Sequence, residues 1–220
     1  DNNTLFDKLN LSTSVSEAEI ALMQKQANAI ILTSQGTPFL HAGSEFLRSK
    51  PCIDGECDMN NEFDHNSYRS PDETNQLDWN LKVENLDVFN YYKGLIELRL
   101  THPAFRMETT IDIQESLFFV PTPDNGNLIQ YVLKDNANND DWKNIMVIHN
   151  SGEPVDVSLL GATWNVVANQ NTTGTNIIDT VSEITIKRNE TLVLYTNDDL
   201  EVEYEDGLVK FVVENIDEDE

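Results

Sequence analysis

The sequence predicts an α/β segment followed by an all-β segment, and two patterns carry this prediction. Up to Arg106, apolar residues recur at helical spacing in two stretches, with one short apolar run between them. After Arg106 the apolar spacing changes to two, and turn-forming clusters separate the short segments. Helix, buried strand, long loop and helix form the end of an α/β repeat, whereas several short strands in succession favour an antiparallel sandwich.

The elements of the first half follow from caps and chain breakers. Residues 1–8 are predicted to be a loop that leads into a short turn, and a capping box at Ser16 begins a helix over 17–33. The apolar run 37–42 has the character of a buried strand. A second helix, whose residues recur at helical spacing from Val88 to Arg99, ends at His102-Pro103.

The second half is predicted to contain short strands. They cover residues 110–120, 128–133, 144–149, 155–159, 163–168, 183–186 and 191–195. The last segment, 199–220, is predicted to be either one more hairpin about Asp206-Gly207 or an acidic tail.

Composition excludes some functions. The chain has 220 residues and a formal net charge of −25, and its last 25 residues hold eleven acidic residues against one lysine. Binding of nucleic acid through clustered Lys and Arg is therefore not expected. No apolar run approaches the length of a membrane span, so no membrane partner is expected either. The first residue is not Met, and we expect a fragment or a processed chain.

Two cysteines, Cys52 and Cys57, lie in an acidic insert. A local disulfide is expected if the protein is exported, and two free thiols if it is not. The pair lacks further Cys or His partners for a zinc site, so no metal site is assigned. Acidic or amide residues at alternate positions leave calcium open as a cofactor, although the full twelve-residue pattern is absent; they are Asp54, Glu56, Asp58, Asn60 and Glu62.

The polar loop 64–72 is the first place where chemistry is expected. Asn66, Tyr68 and Asp72 offer an amide, an aromatic face and a carboxylate, the mixture that a sugar ring with its hydroxyls requires. An ordinary loop held by Asn and Asp turns is the alternative. Glu45 follows the predicted strand, where a carboxylate either faces a site or serves as a cap or surface charge.

Several motifs resemble those of type I pullulanases, the debranching members of the α-amylase superfamily. They are QGTPFLHAGSEFLRSK, DHNSYRSPDETNQLDW, VFNYYKGLIELRLTHPAFRM and the opening DNNTLFDKL, which in the family follows a His. The resemblance covers residues 1 to about 107. That His is absent before Asp1, and the insert PCIDGECDMNNEF lies outside the family pattern.

The resemblance implies a fold and an activity. Residues 1–107 would be the C-terminal end of a (β/α)8 TIM barrel, 108–198 an antiparallel β-sandwich domain, and 199–220 the tail or extra hairpin. The family cleaves α-1,6-glucosidic branch linkages in pullulan, amylopectin and limit dextrins with retention of configuration. The implied partners are an α-glucan and the missing N-terminal part of the same starch-degrading hydrolase. An exported or cell-surface location is favoured over a cytoplasmic one.

The resemblance also assigns roles to residues. Asp1 matches the family's third carboxylate, which stabilises the transition state, and Asn2 is its neighbour in the motif. Glu45 lies in the eighth-strand signature, and Asn66, Tyr68 and Asp72 lie in the loop that lines the glucan subsites. The nucleophile and the acid/base carboxylate lie on strands that this chain lacks, so the chain alone is expected to be inactive.

Two other functions remain open on the sequence alone. One is a different glucan hydrolase, isoamylase-like or of the α-amylase type. The other is a non-catalytic carbohydrate-binding module, in which the β segment alone would bind starch.

Overall fold

A computed structural model of the chain describes residues 2–53, 57, 62–122 and 126–211. The α-helices within these ranges are α1 Leu5–Ser12, α2 Glu17–Thr33, α3 Asp72–Asn75, α4 Asn80–Glu84, α5 Leu86–Thr101 and α6 Thr110–Ser116. Short 3-10 helices cover Ser44–Phe46, Ser67–Arg69, Pro103–Arg106 and Ala137–Asn139. None of the helices in the described residues has the length and apolar character needed to cross a membrane.

The strands of the described residues form two sheets. They are β1 Leu117–Phe119, β2 Leu128–Leu133, β3 Asn144–Asn150, β4 Val155–Val157, β5 Trp164–Ala168, β6 Asp179–Val181, β7 Ile184–Ile186, β8 Glu190–Thr196, β9 Val202–Glu205 and β10 Leu208–Phe211. The large sheet has the order β6-β5-β8-β3-β2-β1-β10-β9, and β4 pairs with β7 in a second, two-stranded sheet. All pairs are antiparallel except β1 with β10.

The large sheet is buried on both faces at its centre. Every residue of β3 is buried. Met146 and Ile148 belong to the core on the side of the small sheet, whereas Ile145 and Val147 belong to the core that includes Leu98 of α5. Successive side chains of a strand point to opposite faces. Both faces of β3 are covered, so its residues 145–148 form a continuous apolar run. The result is three layers: helices, large sheet and small sheet.

Buried hydrogen bonds join α2 to the sheet. The Gln26 amide donates to the carbonyl oxygens of Asn150 at 2.7 Å and Glu190 at 3.0 Å. The hydroxyl of Tyr131 donates to the carbonyl oxygen of Thr33 at 2.9 Å. Each of these groups would cost free energy if it were buried without a partner, so the contacts fix where α2 lies on the sheet.

Arg99 of α5 holds the end of α2. Its guanidinium donates to three carbonyl oxygens, those of Leu32 at 2.9 Å, Ser34 at 2.7 Å and Gly36 at 2.5 Å. A planar guanidinium can donate in several directions at once, and the C-terminal carbonyls of a helix favour a positive charge. Arg99 therefore sets the path of the chain as it leaves α2.

Gly94 allows the β5–β6 connection to reach α5. A Cβ atom at position 94 would lie 2.2 Å from the carbonyl oxygen of Thr173 and 2.3 Å from its hydroxyl. That hydroxyl donates to the carbonyl oxygen of Tyr91 at 2.6 Å. The close approach explains why a helix-weakening glycine lies inside α5.

The mixture of helices with a large β-sheet that the sequence predicts is confirmed. The helix over 17–33 and the helix that ends at His102-Pro103 are both present, as are strands in six of the predicted positions; the six are β2, β3, β4, β5, β7 and β8. A hairpin turns at Asp206-Gly207, and both residues have positive φ. Residues 212–220 of the predicted tail lie outside the described residues.

Three local predictions are wrong. Residues 5–8 belong to α1, whose N-cap Thr4 accepts a hydrogen bond from the Asp7 backbone. The predicted strand 110–120 begins as α6, because the Thr109 hydroxyl caps that helix through the Asp112 N–H. Residues 37–42 form no strand, since no described backbone lies beside them to form a ladder. Strand β6 is additional to the predicted set.

Acid should destabilise the fold through His149. Burial lowers the pKa of His149 to about 4, and the ring lies 2.8 Å from the Thr191 hydroxyl and 3.4 Å from that of Thr33. The stability that the neutral ring contributes is complete above pH 6.5 and is lost as the pH falls towards 4. We expect this residue alone to lower the free energy of unfolding by about 2 kcal/mol between pH 7 and pH 5.

Denaturant unfolding of wild type and His149→Gln at both pH values measures this contribution, because glutamine keeps hydrogen-bonding groups but does not titrate. The variant should lose less stability on acidification than wild type. His65→Gln, at an exposed position, is the control. Equal pH dependence in wild type and His149→Gln would contradict the assignment.

Gly94→Ala should destabilise the protein although alanine favours helices. Helix propensity alone predicts a gain of about 1 kcal/mol. The clash with Thr173 should outweigh it and lower the free energy of unfolding by about 1–3 kcal/mol. Thermal and denaturant unfolding measure the change. Asn90→Ala on an exposed position of the same helix is the matched control, and a stabilised Gly94→Ala variant would show that the contact is unimportant.

Candidate functional site

The structure describes five of the six predicted site residues, and Asp1 lies outside the described residues. Asn2 is exposed just before α1, and its side-chain oxygen accepts from the Asn3 N–H at 3.0 Å. Glu45 is half-buried, and its carboxylate accepts from the Gly43 N–H at 2.9 Å. The remaining three are exposed on one loop; they are Asn66, Tyr68 and Asp72.

A buried carboxylate ties α1 to the stretch that precedes this loop. Asp7 is fully buried, and it accepts from the Ser49 hydroxyl at 2.5 Å and from the Lys50 N–H at 2.9 Å. Both bonds engage the charged form of the carboxylate, which makes them stronger than bonds between neutral groups. The segment that begins with Asn2 is therefore anchored at residues 49 and 50.

The loop itself is closed by side chains. The Lys50 ammonium donates to the Ser67 hydroxyl at 2.7 Å, and that hydroxyl donates to the Asn75 side-chain oxygen at 2.8 Å. The Asn75 amide in turn donates to the carbonyl oxygens of Ser67 at 2.7 Å and Ser70 at 3.1 Å. The 3-10 turn that carries Tyr68 is held at both ends by one side chain.

Asp64 fixes the entry to the same turn. It is buried, and its carboxylate accepts from the Asn66 N–H at 2.8 Å and from the Ser70 hydroxyl. Aspartate readily accepts such bonds from the backbone two residues on, which favours a turn over regular structure. The backbone of this loop is thus held by Asp and Asn side chains, as one of the two interpretations predicted. The exposed side chains remain available for contacts.

Arg48 joins the Glu45 turn to the loop. Its guanidinium donates to the carbonyl oxygen of Ala42 at 3.3 Å and to that of Asn75. The segments that carry Asn2, Glu45 and the exposed loop residues therefore form one hydrogen-bonded unit. Within the described residues, no hydrogen bond joins the five candidate side chains to one another, so the link between them runs through the supporting residues.

Two aromatic side chains of this region are largely exposed. Tyr68 is 73% exposed, with the Arg69 guanidinium 5.1 Å from its ring centre. Trp79 is 62% exposed and lies 5.6 Å from the buried Phe46 ring, centre to centre. Each presents a flat apolar surface beside hydrogen-bonding groups, a combination that suits a ligand with one polar and one apolar aspect.

The cysteine insert is joined to the loop at its base. Cys52 and Cys57 form a disulfide, and Pro51 pairs with Phe63 in an isolated antiparallel bridge. The Thr74 hydroxyl donates to the carbonyl oxygen of Pro51 at 2.9 Å. The base of the insert thereby supports the helix α3 that follows Pro71.

The calcium alternative stays a prediction. Of its five residues only Glu62 is described; Asp54, Glu56, Asp58 and Asn60 lie outside the described residues. Across the part of the chain that the structure describes, no group of three or more His, Cys, Asp and Glu residues could hold a metal ion.

His41 lies beside the Glu45 turn, where burial and nearby charges act on its ring. Partial burial lowers the pKa of His41, and the nearby charges of Arg48 and Lys50 lower it further, against an opposing effect of Glu45. A neutral imidazole offers one N–H donor and one acceptor nitrogen to a ligand.

The arrangement can bind a ligand rich in hydroxyl groups. Exposed carboxylate, amide and phenol groups lie on a loop whose backbone is fixed by buried or half-buried polar side chains. The sequence motifs identified the exposed groups, but three supporting residues were missed: Asp7, Arg48 and Lys50. The spacing of Thr4 and Asp7 at a helix start was the one available signal, because it is typical of a cap.

Comparisons with known proteins show that the chain is similar to pullulanases. A family model described as the pullulanase all-beta domain matches residues 113–172. The pullulanase of Bacillus subtilis strain 168 is 38% identical over 152 residues, which are 69% of this chain and 19% of that relative. The chain thus spans about a fifth of the length of this curated relative.

Solved structures agree with the sequence matches. Pullulanase from Bacillus acidopullulyticus has a TM-score of 0.79 and 36% identity, over 89% of this chain and 23% of that chain. Type I pullulanase from Bacillus subtilis strain 168, complexed with maltose, has a TM-score of 0.78 and 31% identity, over 90% of this chain and 26% of that chain.

Loss of the disulfide should destabilise the insert and the loop beside it. Cys52 and Cys57 are five positions apart, and closure of so short a ring contributes about 2 kcal/mol in the chain-entropy model. Denaturant unfolding with and without a dithiol reductant should show a loss of this size. The Cys52→Ser/Cys57→Ser variant is the control, because it should have the lower stability under both conditions. No effect of the reductant on wild type would contradict the prediction.

Proposed function

From the premise that this chain resembles part of a type I pullulanase, as the comparisons confirm, we propose that it is the C-terminal part of a debranching glycoside hydrolase. That enzyme would cleave α-1,6-glucosidic linkages in pullulan, amylopectin and limit dextrins with retention of configuration. The observation that carries the proposal is the fixed loop at residues 64–75, where the pullulanase motif presents three exposed polar side chains on a hydrogen-bonded scaffold.

The proposal extends to the fold. Residues 1–107 would complete a (β/α)8 barrel, 108–198 would be the β-sandwich domain and 199–220 its extension. Two features support a missing neighbour. Phe39 is 88% exposed in a segment that pairs with no described strand, and Ile96 and Leu100 line an open groove together with Pro38 and Leu40. Apolar surface of this kind is typical of a face that another segment covers.

Each predicted site residue would have a defined role. Asp1 would stabilise the charge that develops on the sugar in the transition state, and Asn2 would bind beside it. Asp72 would accept hydrogen bonds from glucose hydroxyls, with Asn66 and Tyr68 on either side of the same subsite. Glu45 binds the Gly43 N–H, so it would shape the turn next to the glucan as well as contact it.

The chain alone would not carry out the reaction. Retention requires a nucleophilic carboxylate and an acid/base carboxylate about 5–5.5 Å apart. In the pullulanase-like arrangement both groups come from the preceding part of the barrel. This chain would supply the transition-state carboxylate, the glucan-binding loop and the sandwich that supports the last barrel helices.

A location outside the cytoplasm accompanies this proposal. The Cys52–Cys57 disulfide supports it, because structural disulfides persist mainly in oxidising surroundings.

Maltotriose release from pullulan tests the proposed activity. The 220-residue chain should release no sugar, whereas the longer polypeptide that carries it should release maltotriose. In that longer protein, Asp1→Asn should lower kcat by about 10²-fold or more, because removing a single group that stabilises transition-state charge typically costs this much.

Three outcomes would reject or redirect the proposal. Turnover by the 220-residue chain would show that no further carboxylates are needed. Products other than maltotriose would indicate an isoamylase-like or α-amylase-type hydrolase. Starch binding by residues 110–198, together with no activity in the longer protein, would indicate a carbohydrate-binding module.

A further inference from the structure

We propose that Lys50 is a positioning residue for glucan binding, which sets the conformation of the loop that presents Tyr68 and Asp72 and links it to Asp7. The inference rests on the proposed function for its ligand, but its structural part concerns contacts inside this chain. Lys50 itself is half-buried, and its ammonium donates to the Ser67 hydroxyl of the loop.

The chemistry of Lys50 fixes the direction of every bond that follows. An ammonium group can only donate, so the Ser67 hydroxyl must accept from Lys50 and donate its own proton elsewhere. Its acceptor is the Asn75 side-chain oxygen, 2.8 Å away. The Asn75 amide is thereby orientated with its NH₂ group towards the backbone of the loop. A neutral or accepting group at position 50 would leave this orientation undetermined.

The orientated amide closes the part of the loop that carries the candidate ligands. Asn75 bonds the carbonyl oxygens of Ser67 and Ser70, the residues that flank Tyr68 and Arg69. Asp72 lies between Ser70 and Asn75, at the start of α3. Tyr68 therefore lies between the two residues that the Asn75 amide binds, and Asp72 lies between Ser70 and Asn75 itself.

The backbone of Lys50 provides the second half of the link. Its N–H donates to Asp7, whose carboxylate is fully buried, while its side chain extends to Ser67. Lys50 has no carboxylate within ion-pair distance among the described residues. Its ammonium donates to Ser67 of the loop, so one residue connects the segment after Asp1 to the segment around Asp72.

The expected kinetic effect is on binding rather than on turnover. Sugar contacts on the loop act equally in the ground state and the transition state, and loss of such uniform binding raises KM with little change in kcat. Lys50→Met keeps the aliphatic stem but cannot donate. In the longer protein it should raise KM for pullulan about fivefold or more and change kcat less than about twofold.

Three further variants separate positioning from stability. Lys50→Arg retains a donor and should restore KM to within about twofold of wild type. Ser67→Ala should raise KM as Lys50→Met does. The double variant should have no higher KM than either single variant, since both remove the same chain of hydrogen bonds from Lys50 to Asn75. Lys187→Met, at an exposed position of the β segment, is the matched control and should leave KM unchanged.

Hydrogen–deuterium exchange of the 220-residue chain gives a readout that needs no activity. Amides of residues 64–76 should exchange about tenfold faster in Lys50→Met than in wild type or Lys187→Met, while those of β3 stay unchanged. Unchanged exchange in the loop would overturn the inference. An active wild-type enzyme with unchanged KM in Lys50→Met would also overturn it and leave the proposed function standing. An inactive wild-type longer protein would overturn the proposed function and the role of Lys50 in glucan binding, while the exchange result would still decide whether Lys50 holds the loop.

Discussion

The constraint on which the architecture depends is that the large sheet must be covered on both faces. Its strand β3 has no exposed residue, so a layer of helices and a second small sheet are both required to remove its side chains from water. The helical layer is therefore needed to bury one face of the sheet. Its position on the sheet determines where α2 ends, where the chain turns at residues 36–45, and so where the candidate loop is held.

Polar contacts give that apolar layer a single arrangement. Gln26 and Tyr131 each place a donor against a backbone carbonyl in the interior, and Arg99 gathers three carbonyls at the end of α2. Apolar surfaces can slide past one another at small cost, whereas a buried donor that loses its acceptor cannot be compensated by water. The same logic recurs at the loop, where Asp7 and Asp64 use buried carboxylates to orientate backbone amides.

The sequence could predict elements whose signals are local. The helix over 17–33 begins at the predicted cap Ser16 and its bounds match the structure, but Ile30 and Ile31 of its apolar face are exposed. At 110–116 an alternating pattern competed with the cap at Thr109, and the cap prevailed. For 37–42 the apolar character predicted a buried strand, but Phe39 is 88% exposed, and a strand needs a neighbouring backbone that local sequence cannot supply. Asn66, Tyr68 and Asp72 were identified by their types and motif, whereas the support from Asp7 depends on a contact across 42 positions.

The separation in sequence between α2 and its acceptors has a consequence for synthesis on the ribosome. Gln26 bonds residues 124 and 164 positions later, while the loop contacts among residues 48–75 span far shorter distances along the chain. Short-range closures form early, and contacts between distant residues form late. The loop can thus fold while the strands of the sheet are still being translated. Helix α2 can form its bonds to the sheet only after β8 has been synthesised.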